Sequence, residues 1–237
     1  MSVLYMVRHG QASLHSDDYD QLSPKGVEQS RQLGLHWAGQ KVLFDQVYFG
    51  PRRRHRQTME AVEKVYKEHH LRWPEPKPLE TLDEHFGQHV MLRALPEMMK
   101  SDPAVRELVA RFKEGDRAQL RQYLHLFQKV TRSWVRGELP MPDLEAWHEF
   151  RARIHGALDE IMAAGGGNKK ILAFTSGGPI AASMGRALGI DDEKTLELSY
   201  IVRNATCAEF LFSQKRFSVL TFNSVPHLED ADLVTYI

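Results

Sequence analysis

At 237 residues, 42% of them hydrophobic and 26% charged, the chain is long enough for one sizeable core, as a single domain with an insertion or as two small ones. Lys and Arg number 31 and so do Asp and Glu, so no net positive field is available to hold nucleic acid or an anionic membrane, and neither partner is expected. No apolar stretch approaches the roughly 20 residues of a membrane span, the lone Cys207 cannot close an intrachain disulfide, and the first residues lack a secretory pattern; a cytoplasmic protein is expected.

In chain order, Val3 to Val7 is an apolar run of the kind buried on both faces of a parallel sheet. It stops at Arg8-His9-Gly10. Ser23 and Pro24 then read as a helix start, with Val27, Leu33 and Trp37 recurring at helical spacing to about Ala38. Phe44 to Phe49 is the second predicted strand, and Arg52 to His69 the second helix, with Met59, Val62, Val65 and Tyr66 inward. Lys77 to Leu82 is a third, short strand. From about His85 the strand signal disappears. One helical stripe runs through Leu120, Tyr123, Leu124, Phe127, Val130 and Trp134, another through Leu144, Trp147, Ile154, Leu158 and Ile161. Gly165-Gly166-Gly167 ends that helix. Lys170 to Phe174 is a strand, Pro179 to Leu188 a helix, and Ala205 to Phe212 with Phe217 to Phe222 an antiparallel finish.

Strands alternating with helices predict a three-layer α/β (αβα) fold with a mostly parallel sheet, whose ligands bind beyond the C-terminal strand ends. Arg8-His9-Gly10, the Arg52 to Arg56 run, Asp83-Glu84-His85 and Ser176-Gly177-Gly178 all fall there. Paired guanidiniums match the oxygens of a phosphoryl group, which casts Arg8 and one arginine of the run as phosphate ligands. A neutral imidazole beside them can attack phosphorus, a role for His9, with Gly10 allowing close approach. Glu84 is the candidate for protonating the leaving oxygen and then activating water. Ser176 and Gly177 at a strand-to-helix junction aim backbone N–H groups at an anion. His85, His89, His148, His155 and His227 form no spaced ligand pair, so no metal and no other cofactor is expected.

At these residues the sequence resembles the histidine phosphatase superfamily, the phosphoglycerate mutase-like family. Leu4 to Gly10 is similar to its strand and RHG motif, Leu22 to Gln29 to its first-helix signature, and Gly50 to Thr58 to the segment in which an arginine three positions before a Gln-Thr pair binds phosphate. That register selects Arg54 and leaves Arg52, Arg53 and Arg56 as surface residues. Leu82 to Gly87 resembles the segment with the acid/base glutamate, and Glu145 to Ile154 and Asn204 to Leu211 the later helix and strand. The resemblance implies a single domain over residues 1–237 with a helical cap inserted at about 85–143 over the active edge. It also implies a phosphomonoesterase that forms phosphohistidine at His9, acting on a small soluble phosphate ester. Two alternatives share the site: phosphoglycerate mutase-type transfer, and a phospho-ligand binding module. One departure bears on all three, because the family's second histidine, before the paired glycines, is here Ser176, which cannot carry charge. Oligomeric state is not written in these features.

Overall fold

The computed structural model describes every residue except 14–19, 86, 111–116, 140, 166 and 237. Two compact units divide the chain: residues Met1–Glu84 with Ala152–Ile237, which hold the sheet, and the helical residues His85–Arg151. The helical unit ends at Arg151; the resemblance puts the end of the expected insertion at about 143.

The sheet unit begins with β1 (Ser2–Arg8), α1 (Pro24–Gly39), β2 (Gln46–Phe49), α2 (Arg53–Glu68) and β3 (Lys77–Pro78). In the helical unit follow α3 (Gly87–Ser101), α4 (Pro103–Ala110), α5 (Arg117–Val135) and the start of α6 (Trp147–Gly165). The chain returns through β4 (Lys170–Thr175), α7 (Gly177–Leu188), α8 (Asp192–Ile201), β5 (Cys207–Ser213) and β6 (Arg216–Ser224). The sheet order is β3-β2-β4-β1-β5-β6. The first three neighbouring pairs are parallel, and β5 and β6 close the edge antiparallel.

Alternation along the central strands explains the layers. On one face Val7, Val47, Phe49, Leu172 and Phe174 pack with Leu33 and Trp37 of α1 and Met59, Val62 and Tyr66 of α2. Each such side chain contributes about 1.5–3 kcal/mol when fully buried. The other face buries Leu4, Met6, Ile171 and Ala173. There α7 packs on β1 and β6, and Arg186 of α7 bonds the His155 carbonyl and Asp159 of α6.

Several local expectations are corrected. Val27 is 47% exposed; the buried side of α1 instead takes Gln29 and Ser30, because Gln29 accepts from Gln11 N at 2.8 Å and donates to the Leu233 carbonyl at 2.6 Å. The strand expected over Lys77 to Leu82 pairs only at Lys77 and Pro78 and then turns into one 3-10 turn, Glu80–Leu82. Pro78 has no N–H with which to extend the ladder. Leu144 precedes α6 instead of joining its stripe. Helix α8 was not expected, since its apolar residues share no single face; Asp191 caps it by accepting from Lys194 N.

Within the helical unit Val105, Leu126, Val130, Trp134, Trp147 and Phe150 are buried, and the His85 ring meets the rings of Trp134, Trp147 and Phe150. Tyr123, Leu124 and Phe127 of the expected stripe are only half-buried, and the side chain of Leu120 lies outside the described residues. Among the described residues no helix is long and apolar enough to cross a membrane, and no three His, Cys, Asp or Glu side chains gather as metal ligands.

Candidate active site

Strands β1 and β4 run in parallel and end together, Arg8 opposite Thr175. Beyond that end His9 N donates to the Thr175 carbonyl at 2.9 Å, while the His9 carbonyl accepts from Ala205 N at 3.1 Å and Asn204 Nδ2 at 3.4 Å. Asn204 is wholly buried and tied to Thr235. The backbone that carries His9 is therefore held by the last residue of β4 on one side and by the segment leading into β5 on the other.

Gly10 shows why the motif ends in glycine. A Cβ there would lie 2.3 Å from the Gly26 carbonyl oxygen, and a Cβ on Gly26 only 2.1 Å from that of Gln11. The two glycines press backbone on backbone, docking the start of α1 against the end of β1. Gly10 N then donates to Thr58 Oγ1 at 3.0 Å, and Thr58 donates to the Arg54 carbonyl, which fastens α2 to the same turn.

The His9 ring is 5% exposed. Its Nδ1 lies 2.7 Å from the Gly10 carbonyl, an acceptor only, so the hydrogen sits on Nδ1. Arg54 Nε donates to Nε2 at 3.0 Å, so the in-plane lone pair is on Nε2, held by the guanidinium. Burial first, then the charges of Arg54 and Arg8, push the His9 pKa well below the ordinary imidazole range. The ring is a neutral base with one tautomer and one lone pair.

Arg54 is the arginine that the register selects, and it is the buried one; Arg53 and Arg56 are exposed. Its Nη1 pairs with Asp20 at 2.5 Å, whose other oxygen accepts from Arg53 N. Arg52 departs from the surface reading. It forks onto Asp83 at 2.5 and 3.0 Å, while Arg153 donates to the Thr81 and Asp83 carbonyls. Both fix the loop that carries Glu84. Arg8 donates Nη1 to the Val202 and Tyr236 carbonyls.

Glu84 Oε2 accepts from Gly178 N at 3.1 Å, at the positive end of α7. Ser176, N-cap of that helix, makes no capping bond with its side chain. Its Oγ lies 2.7 Å from Nε2 of His55, the residue after Arg54 on the first turn of α2. Both are fully buried, and the His9 and His55 rings are 5.7 Å apart. Burial first, then Arg54 and Arg52, lowers the His55 pKa well below the ordinary range too. At Gly177 a Cβ would come within 3.3 Å of the Ser199 carbonyl and 3.8 Å of Arg8 Nε.

The sequence-selected residues Arg8, His9, Gly10, Arg54, Glu84, Ser176 and Gly177 thus lie at the last residue of β1 and on the loops and helix starts at one end of the sheet. The sequence reading gave no role to His55, Asp20, Gln29 or Asn204. For His55 a signal existed: the inward stripe of Met59, Val62 and Tyr66, stepped back one turn, lands on it.

This strand order, with a neutral, backbone-oriented histidine at the end of its first strand, defines a phosphoglycerate mutase-like α/β protein. The model of the histidine phosphatase superfamily (branch 1) matches residues 4–225, and the chain belongs to that family. No curated protein matches it in sequence. Solved structures with the same fold include phosphoglycerate mutase from Bacillus anthracis strain Sterne, at 18% identity and TM-score 0.64, covering 96% of this chain and 95% of that one. The alpha-ribazole phosphatase from Shigella flexneri is similar at 17% identity and TM-score 0.61, over 94% and 96% of the two chains. The phosphoserine phosphatase from Entamoeba histolytica, solved with 3-phosphoglyceric acid, is similar at 17% identity and TM-score 0.60, over 96% and 100%.

Proposed function

We propose that the protein is a phosphomonoesterase that hydrolyses a small, soluble phosphate ester in the cytoplasm through phosphohistidine at His9. The observation that carries this is the pair of contacts on the His9 ring, Nδ1 on the Gly10 carbonyl and Nε2 on Arg54 Nε, from which the hydrogen on Nδ1 and the lone pair on Nε2 follow. Burial keeps the ring neutral, hence nucleophilic, in a pocket lined with guanidiniums.

In the first step Nε2 gives its lone pair to phosphorus as the ester P–O bond breaks. The departing oxygen takes the proton of the Glu84 carboxyl. A phosphoryl dianion beside Glu84 favours that protonated form, because two like charges disfavour each other's ionisation. In the second step water attacks phosphorus and gives a proton back to the Glu84 carboxylate. The N–P bond breaks, its electron pair returns to Nε2, and the net change is ester plus water to alcohol plus phosphate. Arg54 and Arg8 meet the charge on the phosphoryl oxygens, while the α7 N-terminus adds its dipole.

The test is a release assay over sugar phosphates, phosphoglycerates, nucleotides and phosphoproteins with wild type and His9→Ala. The expected result is phosphate release by wild type from a small ester, lost by at least about 10⁴-fold in His9→Ala. Conversion between 3- and 2-phosphoglycerate without release to water would reassign the site to phosphotransfer. Phosphate-dependent stabilisation without turnover would reassign it to binding.

A further inference from the structure

The weakest point of the proposed site is the position that the resemblance assigns to a second histidine and that Ser176 occupies. A hydroxyl alone brings no charge, and charge-assisted bonds to phosphoryl oxygens are roughly twice as strong as neutral ones. Yet an imidazole is present at that point. His55 reaches it from α2, and its Nε2 ends on the Ser176 Oγ at 2.7 Å, so its tip meets the side chain of the residue that stands where the resemblance puts a histidine. Its ring lies 5.7 Å from that of His9.

We propose that His55 and Ser176 together form the missing side of the phosphoryl pocket, with His55 holding the Ser176 hydroxyl so that its hydrogen is donated to a phosphoryl oxygen. The inference rests on the proposed phosphatase reading and names the residue that replaces the second histidine. The chemistry is one proton taken up at His55 and a turn of the serine hydroxyl, with no bond of the serine broken. Burial keeps His55 neutral; its buried Nδ1 sits against Gly50 with no hydrogen-bond partner of ordinary geometry, and with the hydrogen on Nδ1 its Nε2 accepts that of the serine. A dianionic phosphoryl group brings negative charge beside it, and on binding the ring takes up one proton from the buffered solution, whose acid becomes its conjugate base. Nε2–H then donates to Oγ, the hydroxyl hydrogen turns to the phosphoryl oxygen, and one positive charge stands behind a neutral donor.

The groups facing His55 permit this. The His9 ring stays neutral, and Arg54 and Arg52, whose charges oppose a cation at His55, are each paired with a carboxylate, Asp20 and Asp83. Burial of every member leaves the pair little water with which to exchange its bonds. His55 is thereby a positioning residue acting through Ser176.

The swap tests it. His55→Ala, folded by circular dichroism and thermal melting, is expected to lose about 10²-fold in turnover of an aryl phosphate, the scale of one lost oxyanion donor. Ser176→His alone is expected to be slow, because the His55 ring blocks the new one. His55→Ala/Ser176→His, which returns the imidazole to the strand end and vacates its path, is expected to regain at least about tenfold over His55→Ala. Wild-type turnover in His55→Ala, or no gain in the folded double variant, overturns the proposal.

A second measurement needs no turnover and a milder substitution. In His9→Ala, inorganic phosphate binding is followed by calorimetry in buffers of different ionisation enthalpy, at a pH where phosphate is already a dianion. Proton uptake is expected, and it should fall in His9→Ala/His55→Gln. Equal uptake in both overturns the role of His55, whereas failure of wild type to hydrolyse any ester overturns the phosphatase reading and leaves this binding result standing.

Discussion

Two regions of the sheet unit bury imidazoles, and they do opposite things with them. At the C-terminal end of β1, both nitrogens of His9 meet a partner, and His55 Nε2 meets Ser176. Between α1, β1 and β5 lies a cavity of about 260 Å³ lined by residues including Tyr5, His36, Trp37, Cys207, Glu209 and His227. There His227 is 6% exposed and neither ring nitrogen finds a hydrogen-bond partner of ordinary geometry. Its pKa is pushed down to about 4, by burial first and then by His36. Both environments depress an imidazole, so a depressed pKa is no mark of a site. The difference is orientation: bonds fix the tautomer and direction of His9, while His227 is desolvated beside His36 with no such bond to orient it.

The contrast can be broken most severely at Glu84. Glu84→Gln keeps an acceptor for Gly178 N but has no proton to give, so esters of poor leaving groups should lose about 10²–10⁴-fold in turnover. Nitrophenyl esters, whose leaving oxygen needs no proton, should lose far less. The ratio of the two losses is the measurement. Equal losses would reduce Glu84 to positioning and move the acid role elsewhere.

Arg54→Ala comes next. It removes the buried donor to His9 and an expected phosphate ligand, and should weaken inorganic phosphate inhibition by the equivalent of about 2–5 kcal/mol, against less than about 1 for exposed Arg53→Ala. Competitive inhibition constants for both variants decide it. Similar values would return the whole basic run to a surface role.

The smallest effect belongs to the other region and is read as stability, not turnover. His227 titrates at about 4 folded and near its ordinary 6.5 unfolded, so below pH 6.5 the unfolded chain binds the extra proton and stability falls with pH. The loss accumulates to about 3 kcal/mol as pH drops from 6.5 to 4 and then levels. Urea unfolding of His227→Phe should show a flatter acid slope with turnover intact. An unchanged slope would mean that His227 is not the group that resists protonation.

Much of the His9 region was legible because its requirements are local. Gly10 and Gly26 must be glycine where backbones touch, Ser23-Pro24 starts a helix beside them, and the spacing from Arg54 to Gln57 and Thr58 is one helical turn, with Thr58 bonded back to the Arg54 carbonyl. What stayed hidden depends on pairs distant in sequence. His55 gains its meaning only from Ser176, far along the chain at the end of β4, and Asn204 only from its contact with the His9 carbonyl. Arg52 looked like one more solvated cation of a basic run until Asp83 supplied its fork. Helix periodicity misplaced Val27 and passed over Gln29, because a buried glutamine with two backbone partners behaves as a core residue, which hydrophobicity does not record.

The central claim is that His9 Nε2 becomes covalently phosphorylated. Wild-type protein quenched in base during turnover of a labelled ester should carry acid-labile phosphate, mapped by mass spectrometry to the peptide with His9 and absent from His9→Ala. Label on Ser176 or another hydroxyl, or steady hydrolysis by His9→Ala, would contradict it.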